Sequence, residues 1–122
     1  MRFIIISDSK GKESGINKKV LKQLLSESTK LTPAPEFIVI GGDSIAGSTK
    51  KEVLAFQLNS FRNIIENFYP NKPILPVIGN HEVNINPNDD NYEKIFSYIY
   101  DDLCPTDYLK NYNRTVYSFD LE

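Results

Sequence analysis

The sequence predicts an α/β fold, a mostly parallel sheet with flanking helices, and three observations carry that prediction. Short β-branched apolar runs alternate with longer stretches whose apolar residues recur at helical spacing. Each of the first three runs stops at a small polar cluster that contains Asp or Asn and a glycine. The order strand, helix, strand, helix, strand implies parallel strands joined by right-handed crossovers.

Arg2 to Ser7 is the first run, short and rich in isoleucine, and reads as a buried strand. A polar stretch, Asp8 to Gly15, follows it. Asn17 to about Lys30 fits a helix, because Val20, Leu21, Leu24 and Leu25 share one stripe and Lys18, Lys19, Lys22 and Glu27 lie off it. Pro33 and Pro35 end it, since proline lacks the N–H a helix needs. Phe37 to Ile40 is the second buried strand, stopped by Gly41 and Gly42. Lys50 to Tyr69 fits a long helix whose stripe is Leu54, Leu58, Phe61, Ile65 and Phe68, closed by Pro70 and Pro73. Ile74 to Ile78 is the third strand. Pro76 removes one ladder donor there, which predicts a short or irregular strand. The polar segment Asn84 to Asn91 leads to a shorter helix carrying Tyr92, Ile95, Phe96 and Ile99. Thr115 to Leu121 alternates polar and apolar residues and reads as a strand with one polar face.

The 122 residues suffice for one domain, expected to span 1–122. A formal net charge of -2 gives no electrostatic argument for nucleic acid or an anionic membrane. No apolar run is long enough to span a bilayer. If Met1 is the native start, the expected location is cytoplasmic. Cys104 is the single cysteine, so an intrachain disulfide is excluded, and it reads as a packing residue.

In parallel α/β sheets ligands bind beyond the carboxyl ends of the strands. Three polar clusters fall there: Asp8-Ser9-Lys10-Gly11, Gly42-Asp43-Ser44 and Gly79-Asn80-His81-Glu82. The fold therefore predicts that Asp8, Asp43, Asn80 and His81 meet, although they are far apart in sequence. Two carboxylates, an amide oxygen and an imidazole suit a hard-to-borderline divalent metal ion, Mg or Mn on the oxygens and Zn or Fe if the imidazole joins. One carboxylate could bridge two ions about 3.5–4 Å apart in a dinuclear metal site. Each residue also has a structural reading, as a turn residue or a hydrogen-bonded histidine.

The order and spacing of these clusters resemble the calcineurin-like metallophosphoesterase family. That family carries Asp-x-His after its first strand, Gly-Asp after its second, and Gly-Asn-His-Asp/Glu after its third. The resemblance covers nearly the whole chain but only the first half of the family's fold. It implies the N-terminal half of a metallophosphoesterase-type α/β sandwich. It also implies a hydrolase that cleaves a phosphate-ester substrate by in-line attack of a metal-bound hydroxide. By the same resemblance Asp8 would bind a first ion, Asp43 would bridge two, and Asn80 would bind the second through its amide oxygen. The cofactors would be one or two divalent ions: Mn, Fe, Zn or Mg. His81 would face the substrate phosphate and protonate the leaving oxygen or steady the transition state. Glu82 would orient His81 by hydrogen bonding.

Two departures qualify this match. Lys10 stands where the family usually has a metal-binding histidine, and an ammonium cannot be a ligand. Lys10 could swing outward, contact the substrate phosphate as a point charge, or mark a weak first metal site. The family also draws histidines from its second half, whereas this chain has only one. A protein continuing past Glu122 is the simplest reading, and it implies an uncovered sheet face that could support a homodimer. The alternative is a non-catalytic fragment or degenerate phosphoesterase fold acting as a binding or assembly module. Other phosphate-handling α/β families fit worse. A haloacid dehalogenase-type enzyme would need Asp at position 10, and a dinucleotide-binding domain would need a Gly-x-Gly-x-x-Gly that the glycines here do not form.

Overall fold

The computed structural model describes residues 1–83, 89, 91–112 and 115–120. Its elements are β1 (Phe3–Ile6), β2 (Lys10–Glu13), α1 (Lys18–Thr29), β3 (Phe37–Ile40), α2 (Lys51–Phe68), β4 (Ile74–Pro76) and α3 (Asn91–Ile99). β1, β3 and β4 form a parallel sheet in that order, with β3 central. Phe3 pairs with Phe37 and Ile6 with Ile40 across β1 and β3, while Ile38 pairs with Ile74 across β3 and β4. That register brings the carboxyl ends of all three strands to one edge of the sheet.

The helices form because their apolar residues share a face that the sheet can bury. Leu21 and Leu25 of α1, and Leu54, Leu58, Phe61 and Ile65 of α2, are almost fully buried. They pack with Ile38, Ile40 and Ile74 of the sheet, and Ile4 and Ile6 join at the margin. Burying such a side chain stabilises the fold by about 1.5–3 kcal/mol. α1 is capped where the Asn17 side chain accepts from the Val20 N–H at 3.4 Å. α3 adds Tyr92, Phe96 and Ile99 to the same core through its contact with α2.

Four local expectations change. β1 is not buried on both faces: it lies at the edge of the sheet, and Phe3 and Ile5 on its second face are 44% and 64% exposed. Part of the stretch expected as an irregular polar loop is extended as β2, which folds back on itself through bridges from Lys10 and Glu13 to Ile16. β4 stops at Pro76 rather than Ile78. Residues 115–120 form no strand in the sheet. They pair locally with 107–109, through the bridge of Tyr108 with Tyr117 and bonds from Leu109 N to Val116 O and from Ser118 N to Asp107 O, both 2.9 Å. Leu121 and most of the polar segment 84–91 lie outside the described residues.

This local hairpin covers part of the sheet face expected to be open. Phe119 packs on Phe37 at a centroid distance of 5.7 Å, and the Tyr117 hydroxyl donates to the Pro76 carbonyl at 2.5 Å. Leu75 is buried there, bordering a cleft with Leu103, Pro105 and Phe119. The uncovered part is the β1 side of this face. Among the described residues no helix is long and apolar enough to cross a membrane.

Candidate functional site

The strand ends place three loops side by side. Asp8 follows β1, Asp43 follows β3, and Asn80, His81 and Glu82 follow β4. Asp8 and Asp43 both adopt left-handed backbone, with φ of 57° and 52°. That conformation is uncommon for residues other than glycine, although Asp tolerates it better than most. The Asp8 N–H donates to the Gly42 carbonyl at 3.1 Å, which seats the first loop against the second.

The second and third loops are bound more closely. Glu82 is only 1% exposed, and its carboxylate accepts backbone N–H bonds from Ser44 at 2.8 Å, Asp43 at 3.0 Å and Gly79 at 3.1 Å. Burial pushes its carboxyl pKa up, and the Ser44 and Asp43 N–H groups pull against that by stabilising the charge. The loops approach so closely that only glycine fits at position 79. A Cβ there would fall 2.5 Å from both the N and the Oδ1 of Asp43.

Asp43 is fixed from the other side. The His81 N–H donates to its Oδ1 at 3.0 Å. Asn80 sets its terminal amide 3.1 and 3.0 Å from the two Asp43 oxygens, and the assignment that satisfies both groups turns the nitrogen toward them. Rotating that amide by half a turn would bring three oxygens together around one point, a donor set that suits a hard cation. Asp8 stands exposed on the neighbouring loop. Among the described residues, no three His, Cys, Asp or Glu side chains gather closely enough to hold a metal ion. The fit to a metal therefore rests on Asp43 and the Asn80 amide, with Asp8 alongside.

His81 is half-buried, and both ring nitrogens are engaged. Nδ1 donates to the Ala46 carbonyl at 2.7 Å, and the Lys10 ammonium lies 3.1 Å from Nε2. The expected contact between Glu82 and the His81 ring is not made. Glu82 has turned inward to the backbone N–H groups, and the Ala46 carbonyl holds the ring. Lys10 does not swing outward as an isolated surface lysine, since it bridges to a residue 71 positions away.

Sequence reasoning missed one supporting residue. Gln57 of α2 is buried, and its Oε1 accepts from the Gly47 N–H at 2.9 Å, which anchors the loop that carries Asp43 and Ala46. The signal was present. Gln57 lies three residues after Leu54 and beside Leu58, a polar residue on an otherwise apolar helix face.

A cleft of about 410 Å³ lies elsewhere, between α2 and α3 around Ala55, Ile95 and Tyr98. It carries none of the strand-end residues, so the candidate site is defined by converging polar groups and not by cavity size. The family model described as calcineurin-like phosphoesterase matches residues 1–120. No curated protein matches the chain in sequence. With that match over nearly its full length, on a parallel sheet flanked by helices, the chain belongs to the calcineurin-like phosphoesterase family.

Proposed function

We propose that the chain hydrolyses a phosphate ester at its strand ends with the help of a divalent cation. Asp43 and Asn80 would hold the ion, with Asp8 as the third oxygen donor. The observation that carries this reading is the convergence of the Asn80 amide on both carboxylate oxygens of Asp43. Both nitrogens of the sole imidazole are engaged by Ala46 and Lys10, so the donors left are oxygens. That chemistry favours one Mg2+ or Mn2+ ion over Zn2+ or Fe. When bound, such an ion would polarise a phosphate oxygen and acidify nearby water.

The chain's own residues do the rest. The backbone N–H of His81 aims the Asp43 carboxylate, and Glu82 keeps the Asp43 and Asn80 loops in register. Lys10, held by His81, stands at the edge of the same site. Its part would be to bind and orient the charged oxygens of the ester as negative charge shifts toward the leaving group.

The test is hydrolysis of 4-nitrophenyl phosphate and its bis ester with added Mn2+, together with Mn2+ binding by calorimetry. Asp43→Asn is expected to weaken Mn2+ binding by at least about tenfold, from the loss of a charged ligand, and to abolish hydrolysis. If the unaltered chain binds Mn2+ no better than Asp43→Asn does, the metal reading is wrong, and a binding-module role becomes the better account.

A further inference from the structure

We propose that the Lys10 ammonium, and not the His81 ring, is the group that first grips a phosphate oxygen, and that His81 is the positioning residue that holds it there. The proposal rests on the phosphoesterase reading for its ligand class, and on the Lys10–His81 contact for its geometry.

Lys10 is pinned at its root. On one side the Ser9 carbonyl accepts from the Asn17 N–H at 2.8 Å and the Ser9 hydroxyl donates to the Ser44 carbonyl at 3.0 Å. On the other side the Gly11 N–H donates to the Gly15 carbonyl at 3.0 Å. Its head is pinned as well, by Nε2 of His81 at 3.1 Å. His81 is the firmer member of the pair. Its backbone N–H is bound to Asp43 and its Nδ1 to the Ala46 carbonyl. A ring that donates from Nδ1 carries its lone pair on Nε2, so the ammonium donates and the imidazole accepts.

The charge balance then matters. A lysine held by a carboxylate has its charge neutralised. Lys10 is held by a neutral ring, and among the described residues no carboxylate lies within ion-pairing distance of it. An ammonium has three N–H donors. One is spent on His81, and the others remain for an anion. Ordering a lysine side chain normally costs rotamer entropy when a ligand arrives, and here much of that ordering has already been done. Because Nε2 is covered by Lys10, a phosphate oxygen approaching from the open side meets the ammonium first.

The test is a double-mutant cycle on inorganic phosphate binding to the 122-residue chain, using Lys10→Met, His81→Gln and the pair. Long-range 1H–15N spectra of the single imidazole accompany it. Lys10→Met is expected to weaken phosphate binding about tenfold, as loss of one charge-assisted hydrogen bond does. His81→Gln alone should also weaken it, but should add less than about twofold in the Lys10→Met background, because its effect passes through Lys10. Lys10→Arg should recover part of the loss. The spectra should show the Nδ1–H tautomer in the unaltered chain and in Lys10→Met alike, because the Ala46 carbonyl holds Nδ1–H in both. Losses that multiply, an Nε2–H ring in the unaltered chain, or no phosphate binding by it would each overturn the proposal. Ester hydrolysis is scored separately. If hydrolysis is absent while the cycle behaves as expected, the phosphoesterase reading falls and the anion subsite stands.

Discussion

The loops after β3 and β4 are joined through their interior, whereas the loop after β1 is joined to them at its rim. Between the first two, a buried carboxylate collects three backbone N–H groups, and Asp43 is bound by both His81 and Asn80. The β1 loop makes two backbone bonds, from the Asp8 N–H to the Gly42 carbonyl and from the Ala46 N–H to the Gly15 carbonyl, one hydroxyl bond to Ser44 and the Lys10 contact with His81. The first arrangement fixes two loops as one unit, because removing Glu82 would leave three backbone donors without their acceptor at once. The second leaves each bond replaceable. It is also where this sequence departs from the family's motif, at Lys10. A position held by one flexible side chain can change its chemistry without unfolding the site around it.

The sharpest way to break this comparison is Glu82→Ala. One buried and two part-buried N–H groups lose their acceptor, so stability should fall by about 3 kcal/mol or more in urea unfolding. A loss below about 1 kcal/mol would mean that water or a rearranged backbone replaces the carboxylate, and that the two loops are not a unit. Ser9→Ala probes the rim. It removes one part-buried hydrogen bond, and the expected cost is about 1 kcal/mol with Asp43 and Asn80 chemistry unchanged. A cost as large as that of Glu82→Ala would erase the distinction between the loops.

The smallest effect serves as a reference far from the site. Arg62 donates to both carboxylate oxygens of Asp102, at 2.6 and 2.7 Å, and to the Ile99 carbonyl at 2.6 Å, which ties α2 to the end of α3. The Arg62 hydrogen bond holds the Asp102 carboxyl below its ordinary value of 3.8. A carboxyl with a lowered folded-state pKa stabilises the fold above its unfolded pKa, and the stabilisation fades as pH falls through the folded value. Asp102→Asn should therefore cost its full, small amount above pH 3.8, and the difference from the unaltered chain should vanish as pH falls through the folded value. Because Asp102 is 67% exposed, solvent screening limits that contribution to about 0.5 kcal/mol. A Asp102→Asn profile identical to the unaltered chain's would show that this clamp carries no pH-dependent stability.

Much of the frame was legible along the chain. Helical spacing of Leu54, Leu58, Phe61 and Ile65 identified the buried face of α2, but on α1 only Leu21 and Leu25 of the expected stripe are buried, and Val20 and Leu24 are exposed. The β-branched runs identified β1, β3 and β4, and their alternation with helices brought Asp8, Asp43, Asn80 and His81 to adjacent strand ends. These follow from periodicity and crossover handedness, which are properties of short segments. The 115–120 segment was misjudged because alternation predicts an extended segment but not its pairing partner, and it found residues 107–109 instead of the sheet.

The sequence by itself determined the order of elements, the core faces of the helices and the edge of the sheet where polar groups collect. Only the tertiary structure decided that Glu82 turns inward to three N–H groups, that Gln57 anchors a loop from a helix, and that Lys10 reaches His81. The physical reason is that hydrophobic periodicity is written locally and repeats. A hydrogen bond between residues 38 or 71 positions apart is set by where two loops come to rest once the core has closed.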